Sequence, residues 1–530
     1  MSEPFHPVAS LDTLAPGSMR EIEIDDTKIL LVRVGDEITA IDAVCPHAGG
    51  PLADGVLKGN EIFCPWHKAA FCVSSGRCLE PPAVDDLRRF PVQVRDGRVF
   101  VSLSEEVPAK AGESAADSRT FLIVGAGAAG FSAAQTLRQE GFGGRIVLIS
   151  REQALPYDRT ILSKYVLAGT EAGEKTPLQD EEFYRRNAIE RLHAEVTALR
   201  PDEKSVLLKD GRRLTYDAAL IATGGEPIRP PFPGADLGNV FLLRSQEDAA
   251  RIVAAASGSR HAVIVGGGFI GLEAAGSLRE RGLEVTVIVN QEVPPQKQFG
   301  KVVGGVLLDL HKEKGVAFRL GRKLVRLEGE HHVARAVLDD GESLPADLVI
   351  AGLGVRPTTA FVDGLVPADD GGLTADNTLK VAEGLYAAGD IVSFPLRGDG
   401  PRIRVEHWRV AEQHGRLAAL NMLGANRPYD AVPFFWTSHY MQQLDYVGHA
   451  SDQDQLVVRG DLSKRDFIAY YVREGRVTAA AGLNRDRDAA AVLALMSDRQ
   501  SWTPDEIHPP DASPVEVLER RQERSRQSGG

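Results

Sequence analysis

Beyond position 78 this 530-residue chain has no cysteine, and the four it does have, at 45, 64, 72 and 78, are confined to one end. So local a distribution excludes a disulfide framework spread along a secreted protein and points instead to metal ligation. Long apolar runs are also missing. No segment approaches the ~18 uninterrupted apolar residues of a membrane-spanning helix, and the opening MSEPFHPVAS lacks a basic stretch followed by an apolar run. The expectation is a cytoplasmic protein with no membrane span. Positive charge is in short supply too: 61 Lys and Arg face 74 Asp and Glu, a formal net charge of −13, which argues against nucleic acid or anionic lipid as a partner.

What the chain does have is length for several cores, so a multidomain enzyme is expected. Residues 1–103 carry short alternating runs, KILLVRV, EITAID, FPVQV and RVFVSL, broken by Gly, Pro and Asp-Gly, and read as a small all-β domain. A linker rich in Ala, Ser, Glu and Gly occupies 104–118. From 119 the pattern becomes apolar strand, glycine turn, helix and strand, once at TFLIVGAGAAG and again at HAVIVGGGFIG. The first dinucleotide unit is expected over 119–240, with a return over 366–425 near LYAAGD, and the second over 241–365. A mixed α+β segment, with FIAYYV and VTAAAGL as strands, follows over 426–500. The Pro-rich and then charged tail, 501–530, reads as a solvated, partly helical extension.

The first motif is Cys45-x-His47, then sixteen residues, then Cys64-x-x-His67, each pair in a loop between strands. A structural zinc could use the same four residues, but zinc fingers usually group two Cys and then two His. One thiolate and one imidazole per loop suits a [2Fe–2S] cluster in which two Cys hold one iron and two His the other. CPH and CPWH closely resemble the loops of Rieske ferredoxins. Against high-potential members of that group, the resemblance places Gly50 and Trp66 where a bridging disulfide would stand, and Ala69 and Phe71 where Ser and Tyr would bond the cluster sulfurs. It therefore implies a potential toward the low end, near roughly −150 mV. Cys72 and Cys78 could pair, but in a cytosolic chain two reduced thiols packed beside the second loop is the plainer reading.

Gly125, Gly127 and Gly130 follow an apolar strand and open a helix, so they can receive a pyrophosphate, and Glu152 lies where a ribose partner is expected. Gly266, Gly268 and Gly271 repeat the pattern. Their next strand ends at Val289 and Asn290 with no acid, which leaves NADH slightly favoured over NADPH only because Glu292 is nearby and Lys297 is the sole neighbouring cation.

LPYDRTILSK, LIATGGEP, GGGFIG, LYAAGD, EHW and FFW then occur in the order found in FAD-dependent ferredoxin reductases of the pyridine nucleotide-disulfide oxidoreductase class. With the Rieske-type domain in front, the chain resembles the Rieske-fused, apoptosis-inducing-factor-like (type 3) flavoproteins over all but its tail. The resemblance implies an N-terminal Rieske domain, an α/β flavoprotein with FAD and NAD(P) Rossmann-like units, and a C-terminal reductase domain. It implies that Arg159, Lys164, Val196, Arg229, Asp390, His407 and Trp436 contact FAD, that Lys164 pairs with Glu273 beside the flavin, and that Glu406 and His407 border the nicotinamide pocket.

Disulfide reductases of this class carry a redox-active Cys that this chain lacks, so electrons from NAD(P)H and FAD must leave through the cluster, oxygen or an outside acceptor. The expected function is transfer from NAD(P)H through FAD and the [2Fe–2S] cluster to a one-electron acceptor protein or oxygenase component. A homodimer fits the resemblance as well. The alternative is an NADH-responsive redox sensor like apoptosis-inducing factor. In the transfer reading the linker lets the β domain dock near the flavin and then turn outward.

Overall fold

The computed structural model describes residues 4–104, 117–170, 177–451, 454–498, 506 and 513–528. The centre of the linker and much of the tail lie outside these.

The N-terminal part is built from three antiparallel sheets. Met19–Ile24, Thr27–Val34, Glu37–Asp42 and Arg89–Phe90 make one, and Phe5–Ser10, Arg98–Ser102 and Val92–Arg95 the second. Val56–Lys58, Glu61–Phe63, Ala70–Cys72 and Cys78–Glu80 make the third. The first Cys-His loop follows Glu37–Asp42 of the first sheet, and the second joins Glu61–Phe63 to Ala70–Cys72, the inner strands of the third. Cys45 N–H bonds Gly50 O at 2.8 Å and Cys64 N–H bonds Ala69 O at 2.8 Å, closing each loop on itself.

The first glycine turn joins Thr120–Val124 to the helix Ala128–Gln139. Its sheet runs Ile189–His193, Arg145–Ser150, Thr120–Val124, Ala218–Ile221 and Leu385–Ala387, all parallel, with Lys380–Ala382 antiparallel at the edge. The chain thus returns to its first sheet after building the second. Residues Phe121 to Val124 are all buried, as expected of a parallel strand covered on both faces, which carries a continuous apolar run rather than an alternation. The second parallel sheet runs Val240–Phe241, Leu348–Ala351, His261–Val265, Glu284–Val289 and Ala317–Leu320.

The last sheet is antiparallel: Phe434–His439, Gln442–Gly448, Arg476–Leu483, Asp466–Arg473 and Gln455–Asp461. Its strand DFIAYYVR is buried from Phe467 to Val472, on both faces, and period-two geometry explains how. Ile468, Tyr470 and Val472 face a cluster containing the helix Asp486–Ser497 together with Val56, Phe63 and Ala70 of the N-terminal part. Phe467, Ala469 and Tyr471 face Phe299, Val303, Val306 and Leu307 of the helix Gln296–Glu313. One strand therefore ties the N-terminal part to the second dinucleotide unit.

Two expectations change here. The tail is not merely solvated: Pro514–Ser528 is a helix whose Val517 and Leu518 are buried in that same cluster, and Gln522 Nε2 donates to Leu57 O at 2.9 Å. A period of 3.6 residues gives this helix one short apolar stripe, which its charged composition conceals in the sequence. The N-terminal part, in turn, is seated rather than free. Lys68 and Asp445 form an ion pair with side chains 0% and 1% exposed. Arg409, also buried, donates to Pro81 O at 2.7 Å, to Lys68 O at 3.2 Å and to Glu80 at 3.3 Å. Turning outward would break all of these bonds together and expose the apolar cluster that Val56, Phe63 and Ala70 share with the C-terminal sheet.

Candidate functional site

Cys45, His47, Cys64 and His67 meet at the tip of the two closed loops. His47 Nδ1 and His67 Nδ1 lie 3.0 Å apart. The two thiols share a hydrogen bond, which raises Cys45 and lowers Cys64. Burial holds both imidazoles below their ordinary value, so each is neutral and offers a lone pair. Among the described residues no three His, Cys, Asp or Glu side chains converge on one point. The four are arranged two and two, thiol with thiol and imidazole with imidazole, which fits a two-iron cluster better than one tetrahedral zinc. A Cβ at Gly50 would stand 2.8 Å from Cys64 Sγ and 3.3 Å from the Trp66 ring, so the first loop packs directly against the Cys64 thiol. Cys72 and Cys78 are free thiols: Cys72 sits 3.3 Å from Ser74 Oγ, and Cys78 Sγ lies 3.2 Å from Ala83 O.

Behind the loops opens a cavity of about 1180 Å³ that runs between the two glycine turns. Its glycines divide by role. A Cβ at Gly125 would strike Ala222 O at 2.2 Å and one at Gly266 would strike Gly352 O at 2.2 Å, whereas Gly127 and Gly268 face open space. Gly130 and Gly271 approach the backbone of the turn itself and let helix and strand close up. Tight turn, open approach and close packing are the three demands of a pyrophosphate site. At the other end His407 Nδ1 is buried with no hydrogen-bond partner, and burial lowers His407 to about 4. A neutral, unpartnered imidazole in the cavity wall suits a polar ring system such as the flavin. The residues present therefore fit FAD together with a nicotinamide nucleotide.

Arg159, Lys164, Val196, Asp390, Glu406, His407 and Trp436 all line this cavity. Arg229 does not; it is exposed, in the loop after Gly225–Pro227. Glu152 is not in the wall either, because its carboxylate is held by Arg159 at 2.6 Å and by the Tyr157 hydroxyl at 2.6 Å. Arg159, which it holds, does line the cavity. Glu292 is paired with Lys301 at 2.6 Å on the surface and Lys297 is exposed, and neither lines the cavity.

Lys164 lies in a π-helical turn, Leu162–Val166, packed on the helix Phe269–Glu280. Its Nζ is 3.5 Å from Glu273 Oε1, and both side chains are under a tenth exposed. Glu273 also accepts from Ser163 Oγ at 2.5 Å and Thr437 Oγ1 at 2.7 Å. Sequence reasoning missed Ser163 and Thr437, whose hydroxyls fix the carboxylate that fixes the lysine. Trp436, next to Thr437, has a second contact. Its ring centroid is 4.5 Å from that of His67 and 6.2 Å from that of His47, so it stands between the Rieske-type loops and the cavity.

Comparison with known proteins agrees with this geometry. Residues 5–91 match the Rieske [2Fe-2S] domain, 119–415 the pyridine nucleotide-disulphide oxidoreductases, and 434–514 the reductase C-terminal domain. Apoptosis-inducing factor 3 of Mus musculus is 36% identical over 92% of this chain and 83% of its own length. The 5,5'-dehydrodivanillate O-demethylase ferredoxin reductase subunit of Sphingobium sp. is 36% identical over 71% of this chain and 93% of its own. The reductase in the covalent putidaredoxin reductase–putidaredoxin complex superposes with a TM-score of 0.72 at 30% identity, covering 77% of this chain and 99% of that one. The chain belongs to the pyridine nucleotide-disulphide oxidoreductase family, in the branch that carries a Rieske [2Fe–2S] domain in front and a reductase C-terminal domain behind.

Proposed function

We propose that this FAD-dependent NAD(P)H oxidoreductase uses its own Rieske domain as the outlet for electrons, and that a one-electron protein acceptor of the ferredoxin or oxygenase-component kind collects them. When bound, FAD exchanges two electrons with the nicotinamide as hydride and yields them singly, and the cluster takes one at a time. Cys45 and Cys64 would hold one iron and His47 and His67 the other. Gly125 and Gly127 would receive the FAD pyrophosphate, Gly266 and Gly268 that of the nucleotide. Lys164, set by Glu273, would place a cation at the cavity wall where negative charge develops.

The observation that carries the reading is the position of Trp436. It lines the cavity and lies within ring contact of His67, while Lys68, Arg409 and Gln443 hold the Rieske loop against it; Gln443 Nε2 donates to Trp66 O at 2.7 Å. A sensing role would leave that seating without a purpose. The domain limits read from the sequence stand as the proposed division, with the helix Pro514–Ser528 joined to the C-terminal unit. The test is Trp436→Ala in the full holoprotein: reduction of FAD by NAD(P)H should continue near its normal rate while reduction of the cluster slows at least tenfold. Equal slowing of both steps, or of neither, would remove the assignment.

A further inference from the structure

Beneath Glu273 a line of buried polar side chains leads away from the cavity, and none of them is used above except Thr437. Thr437 Oγ1 bonds Glu273 Oε1 at 2.7 Å, His439 Nε2 lies 3.0 Å from Thr437 Oγ1, His311 Nε2 lies 3.2 Å from His439 Nδ1, and Tyr440 OH lies 3.3 Å from His311 Nδ1. Glu273, Thr437, His439 and His311 are buried, and Tyr440 is half-buried at the outer end. They come from the helix Phe269–Glu280, the helix Gln296–Glu313, the strand Phe434–His439 and the turn after it.

The bonding rules fix the direction of every link. A carboxylate only accepts, so Thr437 must donate to Glu273 and accept from His439; His439 then holds its proton on Nε2 and accepts at Nδ1 from His311; His311 accepts at Nδ1 from Tyr440. Five groups form one polarised chain with every donor pointing toward Glu273. Protonating Glu273 permits the opposite polarity, with both histidines in the Nδ1–H form and the Tyr440 hydroxyl turned outward. We propose that this chain is a proton relay between the Lys164–Glu273 pair at the cavity wall and the surface.

The proposal rests on the electron-transfer reading and supplies what its stoichiometry requires. NAD(P)H plus two oxidised one-electron acceptors gives NAD(P)⁺, two reduced acceptors and one proton. That proton arises in a cavity whose one side is covered by the seated Rieske loop and whose other side takes the nucleotide. The relay gives it an exit that does not wait for the nucleotide to leave. Burial, with the Lys164 charge adding to it, lowers His439 to about 3, and burial together with His439 lowers His311 well below its ordinary value. Both rings are then neutral, able to donate and accept at once, which a permanently charged imidazolium cannot do. The charged groups around the outer end are Arg279, Glu280 and Lys314, the last with its Nζ 5.7 Å from the Tyr440 ring centroid.

His311→Gln tests this directly, because an amide keeps two hydrogen bonds and cannot pass a proton. The holoprotein is reduced with one equivalent of NADH and reoxidised by ferricyanide in weak buffer with an indicator dye, following flavin absorbance and proton release together. In the unaltered protein one proton appears in step with reoxidation. In His311→Gln the flavin should still be reduced by NADH within twofold of the normal rate, while proton release lags at least tenfold. Tyr440→Phe, at the half-buried end, should lag likewise and covers the case in which the buried variant loses FAD. Nitrogen-15 spectra of the histidine-labelled, unaltered protein should show His311 and His439 both neutral and both Nε2–H at neutral pH. Release that keeps pace in either folded variant, or an Nδ1–H or cationic form of either ring in the resting protein, overturns the relay. A flavin that NADH fails to reduce would instead overturn the electron-transfer reading itself.

Discussion

Lys68, in the second Rieske loop, and Asp445, in the C-terminal sheet, are ion-paired across 377 residues of sequence with solvent excluded from both. Lys68 Nζ also donates to Pro65 O at 2.6 Å, inside the loop that carries Cys64 and His67. One ammonium group therefore holds the cluster loop in shape and fastens it to the reductase. The left-handed backbone of Lys68, φ 59°, turns its side chain under the loop rather than outward.

Lys68→Met leaves Asp445 buried and unpaired, and the expected loss of stability is about 3–5 kcal/mol in denaturant unfolding. Adding Asp445→Leu should recover most of it, because neither member of the pair is then left buried with its charge unmatched. A single variant as stable as the parent would mean that the Rieske domain is not seated in solution.

This seating was not legible in the sequence. Lys68 and Asp445 each look like a surface charge, and only the fold shows them buried. It also changes how the chain must be studied. Deleting residues 1–110 strips Val56, Phe63 and Ala70 from a shared hydrophobic cluster and orphans Asp445, so truncation would test stability as much as electron flow. The linker composition suggests freedom of movement, and the interface opposes it.

Lys164→Ala removes the cation from the cavity wall and leaves the glycine turns, Arg159 and Asp390 in place. Bound FAD should persist, and its reduction by NAD(P)H should slow about tenfold or more, since one charge–charge contact at a desolvated site is worth at least ~1.4 kcal/mol. Stopped-flow absorbance of the flavin reads this directly. An unchanged rate would make the Lys164–Glu273 pair structural.

The paired Cys-His loops and the glycine turns were legible because their pattern is local: two Cys and two His in two loops, three glycines in one turn. Residues that act through a partner were not. Glu152 reads as a ribose acid, and Arg159 takes its carboxylate instead. Ser163 and Thr437 carry no motif, yet both bond Glu273. His311 and His439 lie on separate elements and meet only when the C-terminal sheet packs on the helix Gln296–Glu313. The tail helix was hidden by its charge, with only Val517 and Leu518 to mark its buried side.

Acid should destabilise the protein through its buried histidines. His414 Nδ1 accepts from the Gly389 N–H at 3.3 Å, and burial lowers the ring from the ordinary 6.5 to about 3. The unfolded chain therefore binds more protons than the folded one between these values. His414's contribution is complete above about pH 6.5 and is lost as pH falls toward 3, with a slope of up to ~1.4 kcal/mol per pH unit. In His414→Gln that share of the slope should vanish from urea-unfolding free energies measured between pH 6.5 and about 4. A variant with the parent's full slope would place the titration elsewhere.

Electrons from NAD(P)H should reach the Rieske cluster inside this chain, with no outside carrier. The most direct measurement is anaerobic mixing of the full-length holoprotein with NADH, freezing at successive times, and electron paramagnetic resonance of the frozen samples. A Rieske-type signal should rise after flavin bleaching without any added mediator, at a rate independent of protein concentration, and should be lost in His47→Ala. A fully reduced flavin beside a cluster that stays oxidised, or a rate that climbs in proportion to protein concentration, would contradict the account.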